Sequence, residues 1–203
     1  MAVASVGITW RDAVDEVLEA VGEFPAEPTV GVEETDAVYT GIALRAHDFL
    51  TREKIRVLTE GWPENTLIAT TVTATPPSGS LRIKGSGPDA HRTLVLGESG
   101  GTQQVLDMND GGSVEASAVV LDVVIVKTWQ TCSPALRDVI VASTKLSFQR
   151  RIIGNPTADA QLMQEYLMAE MRAGRNQPRP GLQLPNLQPQ VPGSGQQQQQ
   201  QQQ

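Results

Sequence analysis

Chemistry-bearing side chains are scarce in this chain. It holds one cysteine, two histidines and eight aromatic residues in 203 positions. A lone Cys132 cannot form an internal disulfide framework, and with only His47 and His91 beside it a His/Cys metal centre is short of ligands. No aromatic lies between residues 63 and 128, so that stretch offers no platform for stacking unpaired bases. No apolar run reaches the ~20 residues of a membrane-spanning helix, and the N-terminus lacks a charged segment followed by an apolar one. The expectation is a soluble protein with no secretory signal, no membrane contact, no metal and no cofactor.

A basic face is missing too. Net charge is -7, and residues 1–65 carry thirteen acids against five bases, while the rest carries ten against eleven. A protein that grips DNA through its phosphates concentrates lysine and arginine. Here the nearest approach is a small cluster of Lys145, Arg150 and Arg151.

What is present is helical punctuation at both ends. Thr9 and Asp12 form a capping-box pattern ahead of Trp10, Val14, Val17, Leu18 and Val21, and Gly22 closes that helix. Thr35 and Asp36 open a second helix through about Glu60, with Val38, Ile42, Ala46, Phe49 and Leu50 on one face. Gly61 ends it and Trp62 packs back on its last turn. Near the C-terminus, Ser133 and Pro134 start a third helix whose apolar face runs through Leu136, Val139, Ile140, Ser143, Leu146 and Ser147. Arg150 and Arg151 sit in its last turn, where cations complement the helix dipole. Gly154 or Asn155 takes the left-handed cap, Pro156 forbids continuation, and Thr157 caps a fourth helix bearing Leu162, Met163, Tyr166, Leu167, Met168 and Met171.

Between the helix pairs the period changes to alternation. Strands are predicted at 67–75, 81–84, 93–96 and 103–107, separated by loops rich in glycine, serine and aspartate. A longer strand at 116–127 is apolar on both faces except for Asp122, so both faces should be covered. The last thirty residues are rich in proline and glutamine and end in eight consecutive glutamines, with too little apolar surface to offset ordering entropy. The fold class is α+β: a helical bundle from N- and C-terminal helix pairs, an inserted, mostly antiparallel β domain, and an extended C-terminal tail. The corresponding divisions are 1–62, 63–130, 131–173 and 174–203.

Several short patterns invite a chemical reading and are better explained by structure. GESGG at 97–101 has the look of a protease nucleophile loop around Ser99. A triad needs a histidine in reach, and the candidates are His47 inside a helix and His91 eight residues upstream. GSGP at 85–88 lacks the Lys-Ser/Thr ending and following helix of a phosphate loop. Neighbouring His47 and Asp48 point in different directions on a helix. Asp122 has either a raised pKa with a catalytic role, or a partner at a strand edge; the second is expected. Arg150 and Arg151 are a helix-end cap and an ion pair with the acidic N-terminal region before they are a nucleic-acid contact.

The order of parts carries a resemblance: two helices, Gly61 and Trp62, a β insertion with glycine-rich turns, a long apolar strand, then two helices about Arg-x-x-Gly-x-Pro. With EAVGEFP at 19–25 and SFQRR at 147–151 running into IGNP at 153–156, it resembles the tail tubular protein A family, head-to-tail adaptors of short-tailed bacteriophages. The resemblance spans about residues 8–172 and is weakest in the β segment, where Pro63 follows Trp62 and Val105, Leu106 and Asp107 stand in place of the family's Tyr-Asp pair. It implies a structural virion protein of the neck, assembled in the host cytoplasm. This would be a homo-oligomeric ring of twelve between the portal protein and the tail nozzle protein, with a C-terminal extension wrapping the portal or a neighbouring subunit. Duplex DNA would pass through its channel without specific binding. Trp62, Arg150, Arg151, Gly154 and Pro156 become candidate fold and interface residues, and no catalytic residue is carried over. The alternatives are another tail-completion or stopper protein, or a small hydrolase using Ser99.

Overall fold

The computed structural model describes residues 7–26, 33–34, 37–99, 101–114 and 117–174. Within them are four α-helices and two three-stranded antiparallel sheets, an α+β chain. The expectations for the tail from 175 onward, for a helix start at Thr35 and Asp36, and for a strand start at 116 fall outside the described residues.

Helix α1 (Trp10–Glu19) begins as its sequence dictates. The Thr9 Oγ1 accepts from the Asp12 N–H at 3.1 Å, and the Asp12 carboxylate accepts from the Thr9 N–H at 3.1 Å, so two otherwise orphaned donors are satisfied. Its buried stripe is Trp10, Ala13, Val14, Val17 and Leu18. Helix α2 (Gly41–Thr59) starts later than its pattern suggests. Residues 37–40 are non-helical, and Gly41 lies at φ 60°. That left-handed residue separates the buried Tyr39 from the helix, so Val38 does not join the helical face and is half exposed.

After α2 the chain enters the β segment: β1 (Thr66–Val72), β2 (Ser80–Gly85), β3 (Leu94–Ser99), β4 (Thr102–Asp107), β5 (Ser113–Val114) and β6 (Val119–Ile125). One sheet has the order β1-β6-β2 and the other β3-β4-β5. The last strand is central to the first sheet, paired on both edges, which is why its sequence is nearly continuous Val, Leu and Ile. The two-residue β5 occupies part of a stretch that reads as loop. The cluster buried here is Val72, Ile83, Leu94, Val105, Val119, Leu121 and Val123, aliphatic throughout.

Helices α3 (Pro134–Ile152) and α4 (Pro156–Arg172) complete the chain. Ser133 caps α3 through its Oγ, accepting from the Leu136 N–H at 3.2 Å, and Pro134 is the first helical residue. All four helices contribute to one buried cluster that includes Trp10, Leu50, Trp62, Trp129, Phe148 and Tyr166. Phe24, in the turn after α1, is 89% exposed and outside this cluster.

One buried amide joins the helical cluster to the β segment. The Asn65 Oδ1 accepts from the Trp62 N–H at 2.7 Å, and its Nδ2 donates to the carbonyls of Leu58 and Ile125, both at 2.9 Å. It thus ties the end of α2 to the end of β6. Asn65→Ala would remove three hydrogen bonds at this buried neck, at a cost of roughly 2–4 kcal/mol. Urea unfolding should show that loss, with Asn65→Asp also impaired because a carboxylate cannot donate; a variant as stable as the parent would refute the latch.

Candidate functional site

The corner between α3 and α4 is built from backbone needs first. Helix α3 ends with the N–H groups of Ile153 and Gly154 both donating to the Gln149 carbonyl at 2.9 Å. Gly154 then adopts φ 69°, the conformation that lets the chain leave the helix without a Cβ clash. Asn155, rather than Thr157, is the cap of α4: its Oδ1 accepts from the Thr157 N–H at 2.9 Å. Pro156 takes the first helical position, where a missing N–H is harmless. Beneath the corner, fully buried Gln149 donates from Nε2 to the Asn155 carbonyl at 3.0 Å and holds the turn against the helix.

The two arginines part company here. Arg150 reaches across the corner to Asp159 in the first turn of α4, with a bidentate contact in which Nη2 lies 3.0 Å from Oδ2. That hydrogen-bonded guanidinium holds the Asp159 carboxyl below the ordinary carboxylate range. The acidic N-terminal region is therefore not its partner, contrary to the sequence reading. Lys145 instead makes that connection, 3.8 Å from Glu16 and 2.6 Å from Glu165. Arg151 is exposed and has no hydrogen bond or ion pair among the described residues. Beside it Ile152 and Ile153 are 37% and 53% exposed. The corner thus offers one unengaged cation flanked by two branched apolar side chains. Sequence inspection passed over this isoleucine pair, although two adjacent β-branched residues next to a forced turn cannot both face the core.

Trp62 belongs to the fold. It is 3% exposed, and its Nε1–H donates to the Val57 carbonyl at 2.9 Å, closing α2 where Gly61 ends it. It shares no corner with Arg150, Arg151, Gly154 and Pro156. Asn65 and Asp159 complete these two sites and were not anticipated; an Asn three residues after Trp, and an acid three residues into a helix, are ordinary turn and cap chemistry, without a distinctive signal.

The remaining patterns resolve into structural roles. His47 accepts at Nδ1 from the Trp10 indole N–H at 3.1 Å and stacks edge-on against that ring, so it is not paired with Asp48. Burial pushes its pKa below the ordinary histidine value, with Asp48 a weaker opposing influence. Asp122 accepts through Oδ1 from the Ala69 N–H at 3.0 Å, where β1 bulges and Ala69 sits at φ 50°. The GSGP segment leads into a single 3-10 turn, and Asp89 within that turn accepts from the Val120 N–H at 2.9 Å. Asp107, in the departure from the family's pattern, is buried and bound by Arg92 at 2.5 Å. His91 lies before β3 and Ser99 closes its far end, a six-residue strand away, about 20 Å at ~3.3 Å per residue. No group of three His, Cys, Asp or Glu side chains among the described residues could hold a metal.

With this geometry in place, comparison with known proteins is decisive at the family level. The family model described as tail tubular protein matches residues 11–179. The match covers both helix pairs and the β segment, and the chain belongs to the tail tubular protein family, structural components of the phage tail and hence of the virion. No curated protein matches the chain. No helix among the described residues is long and apolar enough to cross a membrane.

Two measurements probe this region. Gly154→Ala forces a Cβ into the left-handed cap and should cost about 1 kcal/mol, seen as a lower urea midpoint; an unchanged midpoint would mean the corner relaxes freely. His47 contributes through pH. Its folded-state pKa is depressed, so its stabilisation is present above the unfolded value of about 6.5 and is lost as pH falls through the folded value. His47→Gln keeps an acceptor for Trp10 but does not titrate. The stability difference between parent and variant should therefore shift against the parent between pH 7.5 and 5.5, and parallel pH curves would contradict this role.

Proposed function

We propose that this member of the tail tubular protein family is a head-to-tail adaptor. Its subunits, twelve by resemblance to tail tubular protein A, close into a ring beneath the portal, receive the tail nozzle at the other end, and leave a channel for DNA ejection. The observation that carries the reading is the family match across residues 11–179, which takes in every strand described and all four helices but for Trp10 at the start of α1. In this reading residues 1–62 and 131–173 act together as the portal-facing helical unit, with 63–130 as the inserted β domain.

Charge supports the conduit. The chain is net -7, and two of the three clustered cations, Lys145 and Arg150, are engaged by Glu165 and Asp159. A channel must not hold phosphates tightly, because each neutralised phosphate strengthens binding and would stall passage. The 150–156 corner is the natural contact to a neighbouring virion protein: Arg151 supplies charge and Ile152 and Ile153 supply apolar area, on a turn made rigid by Gly154, Pro156 and the Arg150–Asp159 pair. Trp62 serves the same assembly indirectly, by fixing the exit from α2.

Purified protein mixed with its portal and imaged should give rings on the portal. The double variant Arg151→Glu, Ile153→Asp should dock at least about tenfold more weakly, the scale of a lost interface hot spot, while melting with the parent. Failure to form portal-bound rings would sink the adaptor assignment, as would tight, salt-sensitive complexes with duplex DNA. A hydrolase activity abolished by Ser99→Ala would favour the enzymatic alternative.

A further inference from the structure

A groove of about 510 Å³ runs between α1, α3 and α4. Its floor is apolar, with Val141, Ala142 and Ala169 nearly inaccessible to solvent. Its charged lining is acidic on balance, Glu16, Asp138 and Glu165 against Arg172. A second, smaller depression shares Glu16, Gln161 and Glu165 with the first and extends the groove to Ala158. The two together follow α4 from Arg172 back to Ala158, about 21 Å at ~1.5 Å per residue.

The acids on this rim are incompletely compensated. Asp138 is exposed and makes no hydrogen bond or ion pair among the described residues. Desolvation raises the Glu16 carboxyl above its ordinary range, and the charges of Glu165, Asp138 and Glu19 add to the rise against the opposing Lys145. Desolvation likewise raises Asp138, opposed by Arg172. A cation entering the groove would relieve both.

The chain itself supplies one. Beyond Gly174 the sequence carries Arg175 and Arg179 and no acid, then Leu182, Leu184, Leu187 and Val191 set among prolines. The last residue of α4, Arg172, lines the groove, and the described chain reaches Gly174, two residues beyond it. In polyproline form at ~3.1 Å per residue, about seven residues cover ~21 Å, so 175–182 matches the groove in length. We propose that the groove is the docking site of the chain's own 175–182 segment, folded back along α4, with Arg175 and Arg179 on the acidic rim and Leu182 at the Ala158 end, against Leu162. Tethering at residue 174 keeps the effective concentration of this segment high, so modest contacts suffice. The inference is independent of the adaptor reading: it concerns the free subunit and holds whether or not a ring forms.

The full-length protein tests it through trypsin, which cuts after Arg175 but resists the bond between Arg179 and Pro180. Docking should slow cleavage after Arg175, and Glu16→Gln with Asp138→Asn should accelerate it roughly fivefold, the scale of losing an ion pair. Arg179→Glu, which lies outside every helix and strand described and so cannot unfold them, should do the same. Equal cleavage rates in parent and both variants would overturn the proposal. In a Cys132→Ala background, Gln161→Cys with Leu182→Cys should oxidise to a monomer containing an internal disulfide. Covalent dimers instead would assign the groove to another copy's segment and overturn docking within one chain.

Discussion

The helical part depends on one aromatic contact. Trp10 and Trp129 meet edge to face with centroids 5.1 Å apart, joining the first turn of α1 to the 3-10 turn that precedes α3. Both rings are fully buried, so both indole N–H groups need acceptors. Trp10 finds His47 on α2, and Trp129 finds the Ile8 carbonyl at 3.0 Å. Arg137 stacks over the Trp129 ring and donates to the same Ile8 carbonyl at 3.1 Å. The buried Lys54 lies over the Trp10 ring and pairs with Glu34, whose other oxygen accepts from the Trp129 N–H at 2.9 Å. An ion pair so placed adds little net stability, but loss of either member would leave a charge stranded beside two indoles. The arrangement selects one packing of three helices that apolar patterning alone would leave degenerate.

The same buried cluster receives both ends of the β segment. The chain leaves the helical cluster at Trp62 and returns at Trp129, and both rings are buried in that one cluster. Asn65 and Ile125, at the outgoing and returning ends, are hydrogen bonded to each other. Glu64 accepts from the Ser133 N–H at 3.0 Å and from Lys127, so the start of α3 is fastened to the same neck. Between these ends, the sheets rely on aliphatic packing with no ring to anchor them. A family member can therefore vary this segment's loops and outer face while the neck and the helical cluster stay as they are, in keeping with a resemblance that weakens across the β segment.

Local chemistry was readable wherever a side chain satisfies its own backbone. Thr9 with Asp12, Ser133 with Pro134, and Gly154 with Pro156 all appear where the sequence places them, because a cap involves only residues three or four apart. Strand positions were readable within a few residues for the same reason. What the sequence could not disclose depends on distant partners. The start of α2 is set by Tyr39 entering the core ahead of Gly41, the partner of Arg150 by the angle at which α4 leaves the corner, and the role of Asn65 by two carbonyls sixty-seven residues apart in Leu58 and Ile125. The choice between Asn155 and Thr157 as cap turned on two residues of register, and Pro156 decided it by occupying the first helical position. The family-level identity was legible in the order of parts, whereas the pairing of Arg150 was not.

Asp122 has a consequence for the folding of the sheet. Strand β1 is rich in threonine and carries no charge, so several alignments against β6 would satisfy its ladder almost equally well. Its carboxylate meets the amide freed by the bulge at Ala69 in one alignment, and a slip by one residue would turn it away from that amide. The single acid in an otherwise greasy strand therefore favours one register of β1 on β6 over its one-residue slips.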